Sequence, residues 1–419
     1  MRELKGDWKD LFSGFMLALD LRKMFLGLCG LVLTFVVVGA ATMYIGNQLD
    51  WRYVERPASL TPHAIQTSVC QALHVMYSGT PNYMPSAWVY IPFSVAIILI
   101  TLYIWSYFGG AIARIAAYEV AKDERIETSK ALKFAGRKFS AFFWAPLICV
   151  VGFVFFYFCN VIGGGIGWVL DFIRIGGPLV AIFLPLALLS GFIMVLILIG
   201  TFASATLFHP AIGAEGTDGF DAVSRGFSYI FAKPWHYIWY QLTANVYGVI
   251  CVVFVFIFAV GMCTLALDAG EKLYPQFKNV NDFALSSVVS EKHSRAHYKW
   301  DIESLVTKPH PYGRTMAVAK EIIKPQYVNF NSLRGDHKVA GVIVLAWLLV
   351  TLGLAYSYLI SYFISSQTII YFILRKKVDG IEMNEVYEEP EEEEKPSAVT
   401  VTSPQGEKKE EGQAAEKKS

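Results

Sequence analysis

Apolar positions along this chain neither alternate nor recur at helical spacing over long stretches; they run on without a break. Six such runs occupy residues 24–46, 88–110, 142–162, 179–207, 238–267 and 339–359, the last continuing to residue 374. A hydrocarbon layer about 30 Å thick is crossed by roughly 20 helical residues, and none of the six runs has a charged residue in its middle. A lone strand in lipid would leave its amides unpaired, so each run predicts a membrane-spanning helix. The first run also exceeds the roughly 7–15 apolar residues of a signal-peptide core, which predicts a retained span.

Before the first, third and fifth spans the pattern becomes periodic. Leu4, Trp8, Leu11, Phe12, Phe15 and Leu19 share one helical face, with Lys5, Lys9 and Asp10 elsewhere. Leu132, Ala135, Phe139, Phe142 and Phe143 repeat this spacing, and so do Phe220, Val223, Phe227, Ile230 and Phe231. Such stripes predict amphipathic helices in the headgroup plane, aromatics inward and basic residues toward anionic lipid.

These entries and exits also repeat in sequence. "ALKFAGRKFSAFFW" and "AVSRGFSYIFAKPW" align at an offset of 91, with Ala131/Ala222, Ala141/Ala232 and Trp144/Trp235 identical. "SYFGGAIARIAAYEVAKDERI" and "SYFISSQTIIYFILRKKVDGI" align at an offset of 255, matching Tyr107 with Tyr362, Phe108 with Phe363, Lys122 with Lys377 and Ile126 with Ile381. "TFASATLFHPAIGAEGTDGF" joins them at an offset of 161 through Phe202/Phe363, Ser204/Ser365 and Asp218–Gly219/Asp379–Gly380. The unit is an amphipathic helix, an outgoing span, a turn and a returning span, used three times.

The expected fold is therefore all-α and polytopic, six transmembrane helices in three repeated hairpins, each preceded by an interfacial amphipathic helix. Residues 1–23 form the first interfacial helix and 24–121 the first hairpin, with an outer loop at 47–87. Residues 122–212 hold the second interfacial helix and hairpin, and 213–270 the third interfacial helix and fifth span. An extracytoplasmic insert, 271–338, precedes the sixth span, 339–383. The charged tail, 384–419, has too few apolar residues to fold alone and is expected to be disordered.

"ARIAAYEVAKDERI", "DGFDAVSRGFSYIFAKPWHYI" and "TIIYFILRKKVDGIEMNEVY" resemble an uncharacterised family of bacterial six-span membrane proteins. More distantly, the six-span body is similar to the membrane region fused to some glycerophosphodiester phosphodiesterases. The resemblance implies a fold and a bacterial inner membrane; no phosphodiesterase domain is visible, so that chemistry does not carry over.

Charge sets the expected orientation. Arg2, Lys5, Lys9, Arg22 and Lys23 precede the first span; Lys122, Arg125, Lys130, Lys133, Arg137 and Lys138 separate the second and third; Arg375, Lys376 and Lys377 follow the sixth. The short loops opposite hold only Arg52, Arg56 and Arg174, which predicts that both termini are cytoplasmic. A net charge of +1 gives no case for nucleic acid. Five of six cysteines fall inside spans, leaving Cys70 alone outside and no disulfide framework.

Candidate chemistry is sparse. His293 and His297, with Glu291 nearby, are spaced for one helical face but lack the glutamate of a zinc-protease helix, so a solvated polar helix is the better reading. Gly163 and Gly167 form a small-xxx-small pair suited to close helix packing; the rival reading is a partly unwound helix end lining a pathway. Asn160, Gln241, Asn245 and Gln367 are uncharged groups able to bond neighbouring helices, and Pro92 and Pro185 predict kinks. His209–Pro210 and Glu215–Asp218 read as a helix end and turn. Essentially no ionisable residue lies deep in a span, which argues against proton- or voltage-coupled transport.

No catalytic, cofactor-binding or metal-ligating residue is expected, and no cofactor. The leading expectation is a non-enzymatic integral membrane protein that organises a complex or a patch of membrane. It would meet anionic headgroups at the inner leaflet, and protein partners through the insert (Trp300, Tyr312 and Tyr327 being its expected anchors) or the acidic tail. The alternative is a passive transporter or pore for a lipid-like or small amphipathic solute. A membrane enzyme, the third possibility, needs titratable groups converging at one face, and the linear sequence marks none.

Overall fold

Uninterrupted apolar runs become uninterrupted helices because backbone hydrogen bonding must close within each segment. The computed structural model describes residues 6–48, 87–289 and 335–388. Residues 49–86 of the expected outer loop 47–87, together with His293, His297, Trp300, Tyr312, Tyr327 and nearly all of the tail, fall outside the described residues. The chain divides into a compact unit, Met1–Val386, and a terminal unit, Tyr387–Ser419, of which Tyr387 and Glu388 are described.

A 3-10 turn at Trp8–Ser13 leads into α1 (Gly14–Ala18) and α2 (Leu21–Gln48). There follow α3 (Ala87–Lys122), α4 (Thr128–Arg137), α5 (Phe139–Leu170), α6 (Gly176–Glu215), α7 (Gly219–Ala232) and α8 (Pro234–Leu273). A short α9 (Lys278–Val289) and the long α10 (Gly335–Val378) complete the order. No strand occurs among the described residues. Six helices, α2, α3, α5, α6, α8 and α10, are long and apolar enough to cross a membrane. The protein is an all-α polytopic membrane protein.

Local chemistry sets the breaks. Gly216 ends α6 at φ +63°, its N–H donating to the Ile212 carbonyl at 2.8 Å, the usual left-handed helix stop. Asp218 then caps α7 by accepting the Asp221 N–H at 2.9 Å, and Pro234 opens α8 where no N–H partner is needed. Arg174, at φ +57°, turns the second hairpin between α5 and α6.

The paired spans pack as the repeat predicts: α2 on α3, α5 on α6, α8 on α10. Helix α10 is the hub, touching α1, α2, α3, α6, α7 and α9 besides α8. Burial is concentrated at one end, here called the base. There Leu11, Ala117, Val120, Phe134, Phe142, Phe208, Tyr229 and the run Ile369 to Leu374 form one core. At 44 residues α10 is about 66 Å long, roughly twice the hydrocarbon thickness, so the base is built from length that a bilayer does not need. The most apolar stretch of α6, by contrast, has none of its residues buried.

Close approach at the base relies on glycine. A Cβ on Gly213 would lie 3.0 Å from the Ala113 carbonyl carbon, and one on Gly219 would lie 2.9 Å from the Ala141 oxygen. Neither backbone neighbour can move aside as a side chain could.

Three expectations change. Residues 1–23 are not one helix: a 3-10 turn and the short α1 end at Ala18, and Leu19–Asp20 separate them from α2. The apolar stripes also face differently. In α4 the buried residues are Ala131, Phe134 and Ala135, with Leu132 half-buried, while Phe139, Phe142 and Phe143 belong to α5. In α7 Ala222, Val223, Gly226, Tyr229 and Ile230 turn inward, leaving Phe220 and Phe231 69% and 50% exposed. Small residues let a helix come close to the base, so several of the large ones stay outside. Finally, Gly163 has nothing within reach of a Cβ, whereas Gly167 lies against Val180; only half of the proposed glycine pair packs.

Candidate functional site at the base of the helices

Charged side chains that flank the apolar runs in sequence are brought inside by the surplus length of the helices. Lys23, on the first turn of α2, is fully buried. Its Nζ donates to Glu119 Oε2 of α3 at 2.5 Å and to Ser365 Oγ of α10 at 3.2 Å. Asp20 stands beside this pair, accepting the Arg22 N–H through Oδ1 at 2.9 Å, with its Oδ2 buried. Burial pushes the Asp20 carboxyl up; the hydrogen bond with Glu119, the Arg22 N–H and the charges of Lys23 and Arg22 outweigh this and hold it below its ordinary value. Arg22 also reaches across, Nη1 donating to the Ile126 carbonyl at 2.7 Å.

A second cluster joins the other hairpins. Glu215, at the end of α6, accepts from Tyr371 Oη at 3.0 Å and from Arg375 Nη1 at 3.1 Å, both on α10. Its other oxygen lies 3.4 Å from Arg225 Nη1 of α7. Arg225 Nε bonds Asp221 at 2.9 Å, and Tyr229 Oη donates to Asp379 at 2.5 Å. Burial alone would lower the Arg225 guanidinium, but the bond to Asp221 and the charge of Glu215 hold it above its ordinary value. Burial and the Asp379 carboxylate likewise push the Tyr229 phenol up. Arg375, almost wholly buried, donates from Nη2 to the carbonyls of Glu382 and Glu385, folding the segment after α10 back onto the base.

Arg114 makes the third tie. It is buried in α3, gives Nη1 to the Gly213 carbonyl of α6 at 2.8 Å, and lies 4.1 Å above the Phe134 ring of α4. Nearby, Gln241 and Gln367 bond each other reciprocally at 2.6 and 2.9 Å, and Gln241 Nε2 also reaches Tyr237 Oη at 3.0 Å. The Ser357 hydroxyl donates to the Met24 carbonyl, and Ser361 to that of Ala18.

Sequence-predicted polar residues divide accordingly. Gln241 and Gln367 meet; Asn160 bonds Ser190 at 2.8 Å, within the second hairpin; Asn245 is exposed. His209 is no surface turn residue: its ring packs 5.3 Å from that of Phe142. Glu215 reads as a helix end in sequence and proves to be the centre of a network. The linear sequence marks no converging titratable groups; the fold brings Asp20, Lys23 and Glu119 together in one cluster and Glu215, Arg225, Arg375 and Asp379 in another. The signal was Arg114 and Glu119 set among Ala and Ile on a helix that simply continues past the span. Each oxygen of Glu215 faces a guanidinium, so its charge ties α6 to α7 and α10. Among the described residues no group of three or more His, Cys, Asp or Glu is placed to hold a metal ion.

No family model matches the chain, and no curated protein or solved structure matches it.

Proposed function

We propose that the chain is a non-enzymatic membrane scaffold of a bacterial inner membrane, with both termini cytoplasmic, that organises a protein complex or a patch of membrane. The observation that carries this reading is the use made of the polar groups between spans. Gln241 with Gln367, Asn160 with Ser190, Glu215 with Arg375 and Lys23 with Glu119 each bond helix to helix. A passage for solute needs such groups turned toward a shared lumen; here they close on one another, most of them within a hairpin, while Glu215 with Arg375, Lys23 with Ser365 and Arg114 with Gly213 tie one hairpin to another. Exposed apolar side chains on the short helices, Phe12, Met16, Phe220 and Phe231, suit a base seated at the leaflet surface. Partners would be held by the insert or by the acidic tail.

Purification of the full chain from its native membrane in mild detergent tests this. A protein partner recovered in stoichiometric amount is the expected result. A chain recovered alone, whose reconstituted vesicles pass lipid or small amphipathic solutes between leaflets, would instead establish the transporter.

A further inference from the structure

Helix α4 has two unlike faces. Ala131, Phe134 and Ala135 are buried, and the Arg114 guanidinium over Phe134 fixes the rotation of the helix. The opposite face exposes Ser129, Lys130, Lys133 and Arg137, with Ser140 just beyond. Spacings of three and four residues set the three cations in one line along the helix. No carboxylate interrupts Thr128–Arg137. Asp123, Glu124 and Glu127 precede the first turn.

Beyond Arg137 the chain passes into α5, whose first turns carry aromatic rings. Tyr103 of α3 and Trp144 of α5 are 60% and 52% exposed. Tyr103 meets Phe139 with ring centroids 4.7 Å apart, and Phe143 meets Trp144 edge to face at 5.9 Å. The rings sit on spans and the cations on the basal helix, so the rings lie on the hydrocarbon side. Phosphate outermost, with the glycerol and first methylenes beneath, is the matching order in a phospholipid. A soluble acidic protein would use the cations and have no need of the rings.

We propose that the outer face of α4, together with Tyr103, Phe143 and Trp144, is a binding site for the headgroup of an anionic phospholipid. The site rests on the reading that the base lies at the leaflet, but not on the scaffold role, which the recovery of a protein partner tests separately.

Lipid retained by the full chain in mild detergent is counted by native mass spectrometry, with added phosphatidylglycerol or phosphatidylcholine as probes. Wild type should keep phosphatidylglycerol in preference. K130Q/K133Q/R137Q, altered only at exposed positions, should bind it about a hundredfold more weakly, each cation near an anionic surface contributing about fivefold. Phosphatidylcholine binding should be the same in both. Should the triple variant misfold by circular dichroism, wild type decides alone: its phosphatidylglycerol retention should fall steeply as salt is raised. Undiminished retention by a folded variant, or insensitivity to salt, overturns the site. So does displacement of the lipid by millimolar inorganic phosphate, or loss from the variant of an acidic protein with phosphatidylglycerol still bound.

Discussion

A buried lysine shows how single residues are used at the base. Lys23 is sheltered completely, and Glu119 and Ser365, with the Asp20 carboxyl beside them, make its charge tolerable there. Glu119→Ala should therefore cost about 3–5 kcal/mol, the usual penalty for an orphaned buried charge, read as a lowered apparent Tm in detergent. Lys23→Met/Glu119→Leu should restore part of that loss, because apolar replacements remove both charges of the pair, although Asp20 keeps only Arg22. An equal fall in the single and double variants would show that the pair is not what matters. Asp20 adds a pH dependence. Its folded carboxyl titrates below the ordinary value near 3.8, so its contribution is complete above that value and is lost as pH falls through the folded one. Apparent Tm should thus drop in strong acid, and Asp20→Asn should flatten that limb; superimposable acid limbs would exclude Asp20 as its source.

Among the elements, contact between helices is limited by backbone more than by side chains. Gly213→Leu would drive a side chain against the Ala113 carbonyl carbon and force α3 from α6, an overpacking cost of about 1–3 kcal/mol or more. Gly163→Leu, with nothing within 4 Å of its Cβ, should be tolerated. Size-exclusion profiles and apparent Tm of the two variants should separate cleanly, and comparable damage at Gly163 would mean that its face is covered by another molecule. The short helices obey the same rule: α7 turns Ala222 and Gly226 inward and keeps Phe220 outward, and α1 does so with Gly14 and Met16.

For the whole molecule the governing quantity is length. Helices of 36, 40 and 44 residues return to the base, each beyond the roughly 20 that a bilayer requires. Their excess forms a second core at the base, where the described segments before α2 and after α10 also pack. The proposed orientation puts the Asp171–Ile173 turn outside and α4 inside. In a cysteine-free variant of intact cells, Phe172→Cys should react with an impermeant maleimide and Ser129→Cys should not. The reverse pattern would invert the topology and move the basic face of α4 to the other leaflet.

Six spans, their pairing and the short helices before the third and fifth spans were legible in the linear chain, the spans because continuous apolarity over 20 or more residues admits one backbone solution in lipid. So were Gln241 and Gln367 as bonding groups, isolated amides being conspicuous in a greasy run. The face that each short helix turns inward was not legible. Phe134 lies outside the stripe counted for α4, and Phe220 lies within the stripe of α7 yet stays exposed, because hydrophobic spacing does not distinguish protein from lipid as the apolar neighbour. Nor was the convergence of Lys23 with Glu119, or of Glu215 with Arg225 and Arg375. Those partners lie 96, 10 and 160 residues apart along the chain, and only the packing of α2, α3, α6, α7 and α10 at one end brings them together.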